Sequence, residues 1–274
     1  MRLPASKRES LEYVVAAACG WDRAGLLARL SLPCGNDLVS IVEKAARQLA
    51  AGSPAEYITG RAAFCDLQVH VCPGVLVPRP ETEELVVLAA NVIAGRRDKE
   101  AVVLDLCSGS GAVALALASR APGARCVGVE MDAVSVACSL ASSQDAALAG
   151  RVRFVQGNVL SNWELFLCDP KSSFDLIVSN PPYVCEERLP EACDASPKEP
   201  IHAIYGGRSG LVFYKHIVAQ AVDWLRPGGT ILLEIDDGLE ERILDLFARY
   251  GLQKGRWLPD DRGLPRYAEA ERGL

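Results

Sequence analysis

The sequence predicts an α/β chain in which a doubly wound parallel sheet follows a small helical N-terminal domain. Three observations predict it. From Ala101 onward, near-continuous apolar runs alternate with segments of helical periodicity, the pattern of parallel strands covered on both faces. A Gly109-Ser110-Gly111 turn separates the first of these strands from its helix. The strand Phe174 to Ser179 stops abruptly at Asn180-Pro181-Pro182-Tyr183, because two prolines fix φ and remove two backbone donors. With 274 residues, half of them apolar, the chain has ample material for a core.

The elements follow in order. Between Pro4 and Gly52 apolar residues recur at helical spacing: Leu11, Val14, Val15 and Ala18, then Leu26, Leu27 and Leu30, then Leu38, Ile41, Val42, Ala45 and Leu49. Asp22 and Asn36 or Asp37 are the predicted N-caps, with Gly35 and Gly52 at helix ends. Residues 1–60 are therefore expected as a helical domain. Residues 61–80 are expected as a hairpin linker, from the alternation in Tyr57 to Gly60, Ala63-Phe64 and Leu67 to Val71, with His70 as a structural edge residue. Residues 81–274 are expected as the doubly wound α/β domain. Pro78 and Pro80 hold Arg79 extended, and Thr82 is expected to cap a helix over 83–94. Strands are expected at 102–106, 126–130, 152–156, 174–179 and 230–235, with terminal strands near 252–257 and 267–271. Helices are expected at 112–119, 133–149, 211–225 and 239–250, and 186–208 as a long polar loop.

Charge narrows the function. There are 29 basic and 35 acidic residues, a net charge of −6. The first eighty residues carry 9 basic and 7 acidic, the remainder 20 and 28. An acidic catalytic part suits a basic protein partner better than a broad grip on nucleic acid or anionic membrane. The ten cysteines contain no Cys-x-x-Cys pair and there are three histidines, so no metal site is expected. The cysteines read as reduced thiols of a cytoplasmic protein. Lys7, Arg8 and the run Leu11 to Gly20 loosely mimic a signal peptide, but Glu12 interrupts it and an amphipathic helix is expected instead. No uncharged apolar run approaches the roughly 18 residues of a membrane span.

Ligands of doubly wound sheets bind at the carboxyl ends of the strands. Small residues at Gly109 and Gly111 let a ligand approach backbone and a helix N-terminus. Glu130 ends the next strand about 20 residues on, where an acid accepts hydrogen bonds from ribose hydroxyls. Asp105 either orients the loop or meets a ligand ammonium. The third glycine that a dinucleotide pyrophosphate asks for is replaced by Ala112-Val113-Ala114. S-adenosyl-L-methionine carries no phosphate, and its cationic groups suit Asp105 and Glu130, so it is the expected cofactor. At the end of the strand 174–179, Asn180 and the carbonyls around Pro181 present hydrogen-bond acceptors, with Tyr183 beside them. Such a set grips an NH2 group through its hydrogens; the plainer reading is a strand-ending turn.

With both motifs placed, the chain resembles the peptide-chain release factor N(5)-glutamine methyltransferases, a family with the Rossmann-like class I methyltransferase sheet. The resemblance runs from about Pro54 to the C-terminus. It includes Tyr57-Ile58-Thr59-Gly60, Pro78-Arg79-Pro80-Glu81-Thr82-Glu83, Leu104 to Gly111, and Asn180-Pro181-Pro182-Tyr183. It continues through Glu199-Pro200, Gly206-Gly207, Gly210-Leu211-x-Phe213-Tyr214 and Asp260-x-x-Gly263-x-x-Arg266. The Asn-Pro-Pro-Tyr type is shared with DNA adenine methyltransferases; the Pro-Arg-Pro-Glu-Thr segment discriminates better. The resemblance implies a cofactor site lined by Cys107, Ser108, Gly109, Ser110, Gly111, Glu130, Asn158 and Val159, bordered by Asp105 and Asn180. It also implies that Asn180, Pro181, Pro182 and Tyr183 hold the target glutamine; beside them Arg79 is expected as a pocket-wall or partner contact. The family commonly has Gly-Thr where Cys107-Ser108 stand, Asp where Asn158 stands, and an aromatic in place of Val159.

The expected chemistry is methyl transfer to the side-chain amide of a glutamine in release factors. Asn180 Oδ1 and the Pro181 carbonyl accept both amide hydrogens, and Tyr183 closes the pocket. Three rivals are set beside it: glutamine methylation of a ribosomal large-subunit protein, adenine-N6 methylation of nucleic acid, and a silent adaptor using the helical domain. The enzyme is expected to act as a monomer.

Overall fold

The computed structural model describes residues 5–33, 35–96, 100–196 and 198–274; Pro4, named above, and Cys34, one of the ten cysteines, lie outside them. The N-terminal helices are α1 (Ala5–Cys19), α2 (Arg23–Leu27), α3 (Asn36–Ala50) and α4 (Ala55–Thr59). They share two small cores, Val14 with Ala45, Leu49 and Ala55, and Val15 with Ala16 and Leu26. Asp22 caps α2 as expected, accepting Gly25 N–H at 2.6 Å. The cap of α3 is Gly35, not Asn36 or Asp37. Leu27 and Leu30 are exposed because α2 stops after five residues. Tyr57 to Thr59 is a helical turn, not part of a hairpin: Pro54 starts it, and Gly60, at φ +75°, ends it by donating to Glu56 O.

The hairpin itself is β1 (Arg61–Phe64) and β2 (Leu67–His70), antiparallel. His70 and Arg61 both meet the Asp145 carboxylate, which fastens the hairpin to the helix that ends at Asp145, so His70 is structural as expected. Helix α5 (Pro80–Ala94) begins with proline in its first turn and Arg79 as N-cap. Thr82 therefore lies inside the helix and does not cap it.

The sheet takes β3 (Ala101–Leu106), β4 (Ala124–Glu130), β5 (Val152–Gln156), β6 (Phe174–Ser179), β7 (Leu225–Glu234), β8 (Leu252–Pro259) and β9 (Pro265–Arg272) in the order β5-β4-β3-β6-β7-β9-β8. The first five are parallel; β9 is antiparallel to β7 and β8, so the expected parallel sheet is mixed at one edge. Helices α6 (Ala112–Arg120), α7 (Ala133–Asp145), α9 (Val212–Trp224) and α10 (Glu240–Arg249) fall where periodicity puts them, α7 ending four residues short. The long polar loop contains the short helix α8 (Leu189–Ala195).

Both sheet faces are buried, which is why the strands read as continuous apolar runs. Val103, Leu176, Val178 and Leu232 face one core with α5 and α6. Leu104, Leu106, Ile177 and Leu233 face the other with α9, α10 and the Trp163–Trp224 pair. Among the described residues no helix is long and apolar enough to cross a membrane.

Candidate active site

The strand order reverses at β3. Strands β4 and β5 lie on one side of it, β6 and β7 on the other, so β3 and β6 flank a topological switch point where doubly wound sheets bind ligands. Leu106 and Ser179, the last residues of the two strands, are register partners, and Ser179 Oγ donates to Leu106 O at 2.6 Å. The Cys107 loop and Asn180 thus leave the sheet side by side. Two cavities open there and share Leu76, Asn180, Pro182 and Ala203.

The first cavity lies over the glycine loop, with Cys107, Gly109, Glu130, Asn158 and Val159 in its lining. Cys107, Gly109 and Gly111 all have positive φ, at 59°, 54° and 79°. The turn is tight enough that a side chain on Gly111 would overlap Phe154 at 2.5 Å, and Gly128 makes the same room for that ring from below, at 2.4 Å. A Cβ on Gly109 would meet nothing within 4 Å, and Gly109 lines the cavity, so its missing side chain is space open to a ligand. Glu130 holds the loop by accepting Gly109 N–H at 2.9 Å through one oxygen and Asp132 N–H at 2.9 Å through the other. Val129, Met131, Val159 and Phe213 supply apolar walls. An acid at the rim and apolar walls fit a phosphate-free nucleoside. Asn158 Oδ1 accepts Leu160 N–H at 2.9 Å, which leaves its amide nitrogen as the free donor.

Asp105 does not reach the cavity. It lies buried behind the loop and accepts Ala114 N–H at 3.1 Å, in the first turn of the helix that follows the loop. Burial pushes its carboxyl up to about 8, Glu130 adds to the rise, and the Ala114 bond opposes it. The Cys107 thiol is likewise raised well above its ordinary value, by burial first and then by Glu130 and Asp105, which keeps it neutral.

The second cavity is lined by Asn180, Pro181, Pro182, Tyr183 and Arg79, with the loop around α8 closing it. Gly206 and Gly210 let that loop press against the turn: a Cβ on Gly206 would lie 2.7 Å from Pro182 O, and one on Gly210 2.5 Å from Tyr183 O. Asn180 Nδ2 donates to Thr82 Oγ1 at 2.9 Å, so Oδ1 is the atom turned away from the helix. Thr82 Oγ1 in turn donates to Glu234 Oε2 at 2.8 Å, and Tyr183 OH reaches Glu234 Oε1 at 3.4 Å. Burial raises the Tyr183 hydroxyl above its ordinary value, and Glu234 adds to that. Arg79 is occupied by the buried Glu199 carboxylate, whose other oxygen accepts Val77 N–H at 3.0 Å. It stands in the wall as an anchor for the loop.

The structure therefore gathers Cys107, Gly109, Glu130, Asn158, Val159 and Asn180 around one cavity, and Asn180 through Tyr183 with Arg79 around the other. Ser108, Ser110, Gly111 and Asp105 shape the loop from behind. Leu76, Met131, Ser135, Gly157, His202 and Ala203 line the first cavity without having been singled out in the sequence, and Phe213, quoted above only as part of a motif, lines it too. Glu234 also escaped notice. Its signal was available: a carboxylate between Leu233 and Ile235 in an apolar strand needs partners if it is buried. Among the described residues no cluster suits a metal ion.

Residues 87–192 match the methyltransferase small domain, and residues 4–60 match the PrmC N-terminal domain. The release factor glutamine methyltransferase of Geobacter sulfurreducens is 35% identical over 94% of this chain and 87% of its own length. That of Mycolicibacterium smegmatis is 36% identical over 90% of this chain and 84% of its own. Among solved structures, a methyltransferase from Pyrococcus furiosus shares the fold with a TM-score of 0.58 at 18% identity, covering 85% of this chain and 100% of that one.

Proposed function

The chain belongs to the release factor glutamine methyltransferase family, and from that membership we propose how its residues methylate the side-chain amide nitrogen of a glutamine. The methyl donor is S-adenosyl-L-methionine and the substrate a peptide-chain release factor, met in the cytoplasm by a single copy of the enzyme. The observation that carries the reading is that Asn180 belongs to both cavities, so whatever it holds in one faces the contents of the other.

When bound, S-adenosyl-L-methionine supplies an electrophilic methyl carbon on a sulfonium. Glu130 would receive its ribose hydroxyls, Gly109 would let it approach the backbone, and Val159, Asn158 and Phe213 would flank its base. The amide is the reluctant partner, because its nitrogen lone pair is delocalised into the carbonyl. Asn180 Oδ1 and the Pro181 carbonyl accept the two amide hydrogens and so aim the nitrogen across the shared wall. Tyr183, fixed by Glu234, packs against the carboxamide and excludes water. The work done is alignment and electrostatic preorganisation. A groove lined by Lys7, Ser10 and Tyr13 on one side and by Arg79, Ser196 and Glu199 on the other leads toward the second cavity, which gives the helical N-terminal region a part in presenting the substrate protein.

The test is to incubate the purified chain with methyl-labelled S-adenosyl-L-methionine and, separately, a release factor, a ribosomal large-subunit protein and DNA, and to map the labelled atom. Label on a glutamine side-chain nitrogen of the release factor is expected. Label confined to the ribosomal protein or to an adenine base would replace the substrate.

A further inference from the structure

Asn180 can accept amide hydrogens only if its carboxamide presents oxygen to the target. The two ends of a carboxamide are nearly equal in size, so hydrogen bonding, not shape, must choose between the orientations. Here the choice comes through two links, Asn180 Nδ2 to Thr82 Oγ1 at 2.9 Å and Thr82 Oγ1 to Glu234 Oε2 at 2.8 Å. Thr82 and Glu234 are 5% and 1% exposed, so bulk water does not compete for the bond between them. We propose that Glu234, acting through Thr82, is a positioning residue that fixes which end of the Asn180 carboxamide faces the target, and that protonating Glu234 releases this control. The proposal rests on Asn180 being the acceptor of the target amide.

Donor and acceptor roles along the chain of bonds decide the orientation. An ionised carboxylate only accepts, so the Thr82 hydroxyl must spend its hydrogen on Glu234 and turn lone pairs toward Asn180. Asn180 must then answer with its NH2, and Oδ1 is left for the target. A protonated Glu234 can donate to Thr82 Oγ1. The Thr82 hydrogen is then free to turn toward Asn180, which answers with Oδ1 and leaves its NH2 facing the hydrogens of the target amide. Donor meets donor, and the grip is lost.

The surroundings put this change of state in a usable range. Burial pushes Glu234 up to about 7; Glu81 on α5 adds to the rise, while Thr82, Arg266 on β9 and Tyr183 oppose it. The other groups packed around it are Tyr214 on α9, Tyr267 on β9 with Glu84 beside it, and Asp236, which Arg188 pairs. The tyrosines are all raised above their ordinary value and stay neutral through this range. A carboxylate this deep is costly to bury. Its two oxygens serve Thr82 and Tyr183, both of which border the turn that carries Asn180.

The experiment uses the full chain with a purified release factor and saturating S-adenosyl-L-methionine. Turnover of the wild type is expected to fall about tenfold per pH unit below a midpoint near 7. Thr82→Val, which keeps shape and loses the hydroxyl, is expected to lower kcat about tenfold or more with donor binding retained, and Thr82→Ser to recover most of that loss. Glu234→Gln, which can present either end of its amide to Thr82 but does not titrate, is expected to flatten the pH profile. NMR of the wild type provides a readout independent of turnover and of any variant's folding: the Asn180 side-chain nitrogen signal is expected to shift with the same midpoint as the Glu234 carboxyl carbon. An Asn180 signal that stays flat while Glu234 titrates overturns the proposal, as does Thr82→Val turning over within about twofold of the wild type. If Asn180→Ala is inactive while Thr82→Val is fully active, the relay alone fails. Full activity in Asn180→Ala instead removes the assignment on which the relay rests.

Discussion

The two cavities that meet at Asn180 are built in opposite ways. The side proposed for the methyl donor takes its shape from backbone conformation within a few residues: left-handed Cys107, Gly109 and Gly111, with the loop tied to Glu130 on the adjacent strand. The amide side takes its polarity from residues far apart in the chain, since Asn180 is oriented by Thr82, 98 residues earlier, and Thr82 by Glu234, 152 residues after it. The donor half is thus a local motif, whereas the acceptor half exists only once α5, β6 and β7 have come together. Damage to the two should look different.

The largest expected contrast is between Asn180→Ala and Glu130→Gln. The first should cut turnover about 10²–10³-fold, as removal of a preorganised polar contact does, while donor affinity stays near wild type. The second should weaken donor binding about tenfold and leave turnover at saturating donor much less affected. Calorimetric donor titration beside single-turnover rates decides, and a shared phenotype would merge the two halves into one.

Within the donor half, Gly111→Ala combines a φ of +79° with a methyl 2.5 Å from Phe154 and should cost about 3 kcal/mol in urea denaturation. Gly109→Ala has the left-handed backbone without the overlap, and should cost only about 1 kcal/mol while weakening donor binding. Equal losses would show that the loop's backbone, not Phe154, sets the limit.

A smaller effect concerns Asp105. Its carboxyl is raised in the folded chain from 3.8 to about 8, so the stability it contributes is fully present below its unfolded value and is lost as pH rises through about 8. Asp105→Asn keeps an acceptor for Ala114 N–H and does not ionise. The variant's melting temperature without ligand should gain on the wild type steadily from pH 5 to pH 8, and parallel curves would refute the burial argument. The smallest change is Cys107→Gly, which relieves a left-handed non-glycine residue at φ 59° and adds backbone freedom to the unfolded chain. The opposing terms should leave a gain of less than about 1 kcal/mol in denaturant midpoint.

Legibility in the sequence followed the same division. Gly109-Ser110-Gly111, Glu130 and Asn180 to Tyr183 were readable because each motif is defined by its own neighbours and by its place at a strand end. Thr82 was visible but misread. Standing before Glu83 and Glu84 it has the composition of a cap, yet Pro80 starts the helix earlier and turns Thr82 inward. Tyr57 to Thr59 alternates like a strand and folds as a helical turn, because the Pro54 start and the Gly60 stop outweigh a short pattern. Gly35 caps α3 where a side-chain cap was expected.

By itself the sequence determined the α/β class, the strands and most helices, the glycine loop and the Asn-Pro-Pro-Tyr turn. These depend on apolar periodicity and on φ restrictions, which act within a few residues. Only the tertiary structure decided that β9 enters the sheet antiparallel, that Arg79 is bound to Glu199, and that Glu234 reaches Asn180 through Thr82. The physical reason is that a buried polar atom takes the partner that strand order and helix docking bring within about 3 Å, and that partner can stand anywhere in the chain.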